Sequence, residues 1–563
     1  MAVWLMKSLG PQQSKEGAFM RFKRRYLKVN GRISENSKLA LTVYFLLALG
    51  ILVFSFYSIG LEIFPKVDAG QAQVRLRLKP GTRIERTEAA TQELLRMAED
   101  IVGKGNVAIS SAFIGTQPSS YPVNLIHLWT SGPHESVTKI NLAPEADIPI
   151  EQFKEELRER FRGKYPDASL SFEPGDLVDQ VMNLGSTNPI EIAVVGRNQV
   201  SSRAVAEQLE AELGAIPFLR DVQIATPLDY PGLKLEIDRV KSGQLGLTVS
   251  DIAKTLVAAT SSSRFTQPNY WLDKNSGTAY QVQVEYPQYL MNSPEEVERI
   301  PVASDSERKI YLGDVSTWRR THSPGEYDRL NQQRFITLTA NIHEMDLGHA
   351  LKTIRQSIED LGELPAGVRI LTRGQSELLD QTLGELQLGL LVAITVIFLM
   401  LAASFQSFKV SLATLSIIPA VLMGSILALL LVGHTLNIQS YMGAIMAVGV
   451  AVANAILFVT HAEDLRKSGD ALAHQTAASD RLRPILMTTF AMIAGMTPLA
   501  LGLGEGGDQI APLGVAVIGG LLFSMISTLL FLPHIYRGMI GRHIFTSKSL
   551  NPNDLHSKYY EKN

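Results

Sequence analysis

The segment LALTVYFLLALGILVFSFYSIG, residues 39–60, contains no charged residue and no proline. At 1.5 Å of rise per residue, a helix of that length crosses a hydrocarbon core of about 30 Å, so the segment reads as a membrane span. A polar stretch over 61–385 follows, and then five more apolar runs at 386–403, 410–432, 440–461, 485–504 and 511–535. The pattern is that of a polytopic α-helical membrane protein with six transmembrane helices and a large outer domain inserted after the first.

Six crossings leave both ends of the chain on one side, and the basic residues decide which. Arg21, Lys23, Arg24, Arg25, Lys28 and Arg32 precede the first span. Lys409, Arg466, Lys467, Arg481 and Arg483 lie in or beside the connections on the same side, and Arg537, Arg542 and Lys548 follow the last span. The opposite loops, 433–437 and 505–508, contain no Lys or Arg. Cytoplasmic loops are enriched in Lys and Arg, so the outer domain is expected on the far side of the membrane. The first apolar run is too long for a signal-peptide core and reads as an uncleaved anchor. Upstream of it Phe22, Tyr26, Leu27 and Val29 interleave with the basic residues, which predicts an amphipathic helix on the inner membrane face.

A net charge of −2 and a mean hydropathy of +0.09 average a soluble domain with a bundle, and exclude nothing by themselves. The chain of 563 residues has no cysteine, so no disulfide braces the outer domain. Within that domain Val74, Leu76 and Leu78 alternate with polar residues, marking a strand with one buried face, and Pro80-Gly81 ends it. A helix over 85–102 and a strand at 106–113 follow; strands at 124–131 and 168–173 flank a helix at 150–163. A second set comprises strand 189–196, helix 201–216, strands 219–225 and 233–238, strand 333–342, helix 346–361 and strand 367–372. This order predicts two ferredoxin-like α+β units. An insertion at 239–327, with its own helix at 249–259 and strands near 279–286, interrupts the second.

LEIFPKVDAG (61–70) with GTRIE (81–85), ANAILFV (453–459), RLRPILMTT (481–489) and PLGVAVIGG (512–520) together resemble resistance-nodulation-division (RND) transporters of the acriflavine-resistance type. That family's full transporter has two parallel halves, and this chain resembles the second. The resemblance implies a basic leader (1–38), a first transmembrane helix (39–60) and a first periplasmic porter subdomain (61–188). A second porter subdomain (189–238 and 328–378) encloses a docking subdomain insertion (239–327). A five-helix transmembrane cluster (379–536) and a cytoplasmic tail (537–563) complete the chain. It also implies a multi-pass protein of the bacterial inner membrane that exports hydrophobic or amphiphilic compounds by proton antiport. The implied partners are a first-half polypeptide, two further copies in a trimer, a periplasmic adaptor, an outer-membrane channel and the lipid bilayer. No cofactor, metal site or nucleic acid is expected.

A proton-driven bundle needs a titratable group at membrane depth. The centres of the five clustered runs hold no Asp, Glu, Lys or Arg; Glu385 sits at an entrance, and Glu463 and Asp464 lie beyond the fourth run. In the family paired aspartates of the first half are answered by a lysine in the second, where this chain has Ala453 beside Asn454. The other relay positions map onto Arg481 and Thr488. Positive-inside anchoring and interhelical hydrogen bonding explain the same residues structurally. Substrate contacts are expected from Phe113, Gln117, Tyr121 and Trp129, which equally suit a porter core. No methionine cluster has the spacing of a soft-metal path, which disfavours heavy-metal efflux. No nucleotide-binding, metal-ligand or nucleophile motif points to an enzyme. The alternatives are an accessory membrane protein of the SecD/SecF kind, a non-transporting scaffold, or an inactive fragment of a split transporter.

Overall fold

The computed structural model describes residues 18–65, 70–116, 130–146, 148–175, 180–181, 183, 186–304, 309–468, 470, 472–503 and 506–540. The chain starts with α1 (Ala18–Glu35) and α2 (Ser37–Ser58). One turn apart on α1, Tyr26 and Asn30 are buried, and the Tyr26 hydroxyl donates to the Leu529 carbonyl at 2.8 Å. Arg21, Arg25, Lys28 and Arg32 stay exposed, so the helix divides into a docked face and a basic one.

The first outer unit comprises β1 (Gln71–Arg77), α3 (Ile84–Val102), β2 (Val107–Ile114), β3 (Glu135–Leu142), α4 (Ile150–Lys164) and β4 (Ser169–Glu173). Its antiparallel sheet has the order β4-β1-β3-β2, the ferredoxin-like arrangement. Val74 and Leu76 of β1 are fully buried with Leu94 and Phe153 of the two helices. The strand read at 124–131 falls almost wholly outside the described residues. Strand β3 escaped the sequence reading because seven of its eight residues are buried or half-buried, which erases the alternation that marks a one-faced strand.

The second unit starts with β5 (Ile190–Gly196), α5 (Gln199–Gly214) and β6 (Leu219–Ile224). The chain then leaves through β7 (Tyr230–Ile237), α6 (Val249–Thr260), β8 (Asn269–Leu272), β9 (Ala279–Val282) and β10 (Ser316–Ser323). It returns in β11 (Gln333–Ile342), α7 (Leu347–Asp360) and β12 (Val368–Gly374), giving an antiparallel sheet of order β12-β5-β11-β6. Strand β7, read above with the second unit, pairs with β10 and forms a two-stranded ribbon leading into the insertion.

From β12 the chain runs straight into α8 (Gln375–Phe405), then α9 (Phe408–Leu415), α10 (Ile418–Val432), α11 (Ile438–Lys467), α12 (Ala473–Ala500), α13 (Gly507–Ile526) and α14 (Leu532–Ile540). Six stretches of the described chain are helical, long and apolar enough to cross a membrane. The run read as 410–432 is two helices, because Pro419 opens the second and cannot continue the first. The last run continues through a π-helical stretch, Ser527–Phe531. At the centre, α11 buries Ala447, Ala451, Ala455 and Phe458. Helices α10 and α13 meet through Gly424 and Gly519: a Cβ on Gly424 would lie 2.5 Å from the Gly519 carbonyl oxygen, so only glycine permits this approach.

Candidate functional site

Two regions gather the chemistry-bearing side chains. In the bundle, α11 presents Asn454 toward α12, where the Thr488 hydroxyl donates to Asn454 Oδ1 at 3.3 Å. Thr488 also back-bonds to the Pro484 and Ile485 carbonyls of its own helix, at 3.2 and 3.1 Å. Asn454 Nδ2 and Arg481 Nε, by contrast, are buried donors with no hydrogen-bond partner among the described residues. Arg481 lies two turns before Thr488 on α12, hence on nearly the same face. Ala453, where the resemblance implies a lysine, is exposed on the outer side of α11.

A buried carboxylate was missed. Glu463, read as lying beyond the fourth run, belongs to the last turns of α11 and is 9% exposed. The Tyr536 hydroxyl donates to one of its oxygens at 2.5 Å and Arg466 to the other at 2.5 Å. It therefore closes α14 onto α11 as one half of an ion pair. Sequence alone offered only the Glu463–Arg466 spacing of three residues.

The second region is an open cleft of about 620 Å³ between the two outer sheets. The strand pleat sends Gln73, Arg75 and Arg77 into it while Val74 and Leu76 fill the core behind. Arg77 Nε donates to Glu135 Oε1 at 2.6 Å, across the β1–β3 pair, and Arg77 Nη1 reaches the Ile224 carbonyl of the second unit at 2.9 Å. Arg75 pairs with Glu173, and on the far wall Arg373 donates to Glu191 at 2.9 Å. Burial alone would push the Glu135 carboxyl up, but the Arg77 charge, the Ser131 hydroxyl and N–H, and the Arg75 charge together hold it below the usual carboxylate value. Burial lowers the neighbouring His134, whose two ring nitrogens have no hydrogen-bond partner among the described residues. Phe113 does not line this cleft; it is half-buried at the end of edge strand β2, opposite Val137. Gln117, Tyr121 and Trp129 lie outside the described residues.

The short segment between α2 and β1 joins the two regions. Leu61 N–H donates to Asp346 Oδ2 at 2.9 Å, and Gly348 N–H returns to the Leu61 carbonyl at 2.9 Å. On the other edge Leu436 N–H donates to Gly60 O at 2.8 Å, Glu62 N–H to Leu436 O at 3.1 Å and Ile438 N–H to Ile63 O at 3.2 Å. Asp346 also caps α7 through His349 N–H, and Asn437 caps α11 through Ser440 N–H. The helix that carries Asn454 and the helix that covers the second sheet thus both start on one strap. Burial would raise the Asp346 carboxyl, yet the His349 and Leu61 N–H groups keep it below its ordinary value.

Apolar helices split by a large α/β region after the first of them, with two ferredoxin-like sheets facing a cleft, define the class of resistance-nodulation-division transporters. The chain belongs to the AcrB/AcrD/AcrF family, whose model matches residues 3–539. It is 27% identical over 538 residues to the cobalt-zinc-cadmium resistance protein CzcA of Cupriavidus metallidurans, covering 92% of this chain and 48% of that protein. It is 25% identical over 520 residues to the multidrug/solvent efflux pump membrane transporter MepB of Pseudomonas putida, covering 90% and 47%. A heavy metal efflux pump solved by X-ray crystallography shares the fold, with a TM-score of 0.80 and 24% identity over 93% of this chain and 52% of that one. The chain spans about half the length of the curated relatives it matches.

Proposed function

We propose that this chain is a six-span unit of a proton-driven efflux transporter of the bacterial inner membrane, working with a second six-span unit that supplies the proton-binding carboxylates. The observation that carries the reading is the pair of buried donors without acceptors, Asn454 Nδ2 and Arg481 Nε. An unsatisfied buried donor costs about 1–3 kcal/mol, and carboxylates of the second unit entering beside these donors, which stand about two turns apart along the bundle, remove that cost when ionised and restore it when protonated. Protonation then changes how well the two units fit, which is what coupling proton entry to a conformational cycle requires.

The cleft is the substrate path in this reading. Its lining is charged, with six carboxylates (Glu135, Glu173, Glu191, Glu326, Asp328 and Glu377) against four cations (Arg75, Arg77, Lys139 and Arg373). The cargo is accordingly an amphiphile that carries positive charge. Export of a metal cation is the second reading, favoured by the same carboxylate excess and by the resemblance to CzcA. Assembly as a trimer with a periplasmic adaptor and an outer-membrane channel is supported by the exposed Tyr270, Trp271 and Tyr280 on the β8–β9 hairpin of the insertion. The test is accumulation of a cationic dye and of zinc in an efflux-deficient host carrying this chain together with a carboxylate-bearing six-span unit. Dye accumulation is expected to fall; a fall in zinc alone would replace the amphiphile with the metal.

A further inference from the structure

Residues from both ends of the chain meet at the basic end of the bundle in a chain of hydrogen bonds with one direction. Tyr26, Asn30 and Ser34 follow one another at four-residue spacing on α1, so they form one stripe of that helix. A carbonyl can only accept, so Tyr26 Oη donates to Leu529 O at 2.8 Å, within the π-helical stretch before α14. Asn30 Nδ2 then donates to Tyr26 Oη at 3.5 Å, and Asn30 Oδ1 accepts from His534 Nε2 of α14 at 2.7 Å. One turn further, Ser34 Oγ accepts from Arg537 Nη1 of α14 at 3.0 Å and from Gln475 Nε2 of α12 at 3.4 Å.

This order fixes the tautomer of His534. With its proton on Nε2, the neutral ring leaves Nδ1 bare, and Nδ1 is buried with no hydrogen-bond partner among the described residues. The His534 and Asn30 side chains are both buried. A second proton would go onto Nδ1, where it finds no acceptor while α1 is in place. The surroundings do not answer the extra charge. Arg537 acts on both His534 and His474 of α12, whose rings lie 6.3 Å apart, and Asp470 ahead of α12 acts on His474. Glu463 of α11 is taken by Tyr536 and Arg466, and Lys409 of α9 is exposed. From α1 the facing titratable group is Tyr26, while Lys28, Arg32 and Glu35 are exposed.

We infer that His534 is an acid-sensitive latch: neutral, it holds α1 against α12 and α14, and protonated, it lets α1 leave. Undocking uncovers the ring to water, which solvates the second proton, so acid shifts the balance toward the free helix. Asn36 stands between α1 and α2, so the docked helix ties the start of α2 to α12 and α14. The latch needs this chain and a bilayer, and no second six-span unit.

The chain has no cysteine, so two can be introduced for nitroxide labels, Met20→Cys on α1 and Leu472→Cys at the start of α12, both at exposed positions. Double electron-electron resonance on the full chain in lipid nanodiscs then reads docked and undocked α1 as two distance populations. Tyr26→Phe is included in every sample, because losing the bond to Leu529 brings the undocked population into range while the Asn30–His534 bond is retained. The undocked-to-docked ratio is expected to rise about tenfold from pH 7.5 to pH 5.5, the change that one proton allows when a water-exposed histidine of ordinary value near 6.5 takes it up. Adding His534→Gln, which keeps a donor to Asn30 and does not titrate, should leave the ratio equal at the two pH values. An equal ratio before that substitution overturns the latch, as does a rise that survives it. If His534→Gln loses the docked population at pH 7.5, Asn30→Asp decides instead: a carboxylate facing the protonated ring keeps α1 docked at pH 5.5, and an undiminished rise in that variant overturns the latch as well.

Discussion

Asn454 Nδ2 and Arg481 Nε, which stand about two turns apart along the bundle, are buried donors with no hydrogen-bond partner among the described residues. Replacing Arg481 by alanine removes one of those donors and the charge that would meet an incoming carboxylate. Arg481→Ala is expected to abolish transport by the two-unit transporter with no loss of membrane-inserted protein, measured as dye efflux against immunoblot level. Unchanged efflux would remove Arg481 from the relay. Glu135 carries a different residue-scale prediction. Its carboxyl is held below the ordinary value of 4.5, so its contribution to stability is present above the unfolded value and lost as pH falls through the lower folded value. Glu135→Gln should destabilise the outer domain by on the order of 2–4 kcal/mol at neutral pH, because Arg77 loses a buried partner. The gap between variant and parent should close on acidification, as read from thermal unfolding at several pH values.

Among the elements, the strap over residues 60–63 is where helices α7 and α11 are both anchored. Asp346→Ala removes the cap of α7 and the acceptor of Leu61 N–H together, for a cost of about 1–2 kcal/mol. Hydrogen exchange should quicken at Leu61, Gly348 and His349 while the first outer unit stays protected; uniform exchange would mean that the strap does not depend on this carboxylate. The glycine contact between α10 and α13 is tighter still. Gly424→Leu should cost at least about 1–3 kcal/mol by overpacking and lower the yield of folded protein from the membrane. How legible each element was follows from its environment. Strand β1 could be read because Val74 and Leu76 alternate with cleft-facing Gln73, Arg75 and Arg77, whereas β3 buries the polar Glu135, Ser136 and Thr138 beside Val137 and offered no period. The apolar runs marked the helices, but not their true lengths: α8 starts at Gln375 because its first turns pack on the outer units, where polar residues are tolerated. Thr488 is named by the family resemblance and Asn454 as the neighbour of Ala453, and the sequence does not pair the two with each other; their contact is legible only in the structure. Glu463 was not, since its burial depends on Tyr536, 73 positions away.

Taken whole, the molecule pairs an outer region stabilised largely from within with a bundle whose polar layer is incomplete. The first outer sheet satisfies its buried Glu135 and Glu173 internally, and α11 satisfies Glu463 through Tyr536 and Arg466. In the bundle Asn454 Nδ2 and Arg481 Nε are among the buried donors that have no hydrogen-bond partner among the described residues, and the chain spans about half of its curated relatives. The most direct measurement is made in proteoliposomes under an imposed proton gradient, following internal pH and a cationic dye with this chain alone and then with a carboxylate-bearing six-span unit. The account predicts neither proton flux nor dye movement from the chain alone, and coupled movement of both once the second unit is present. Proton-coupled dye transport by the chain alone would contradict it.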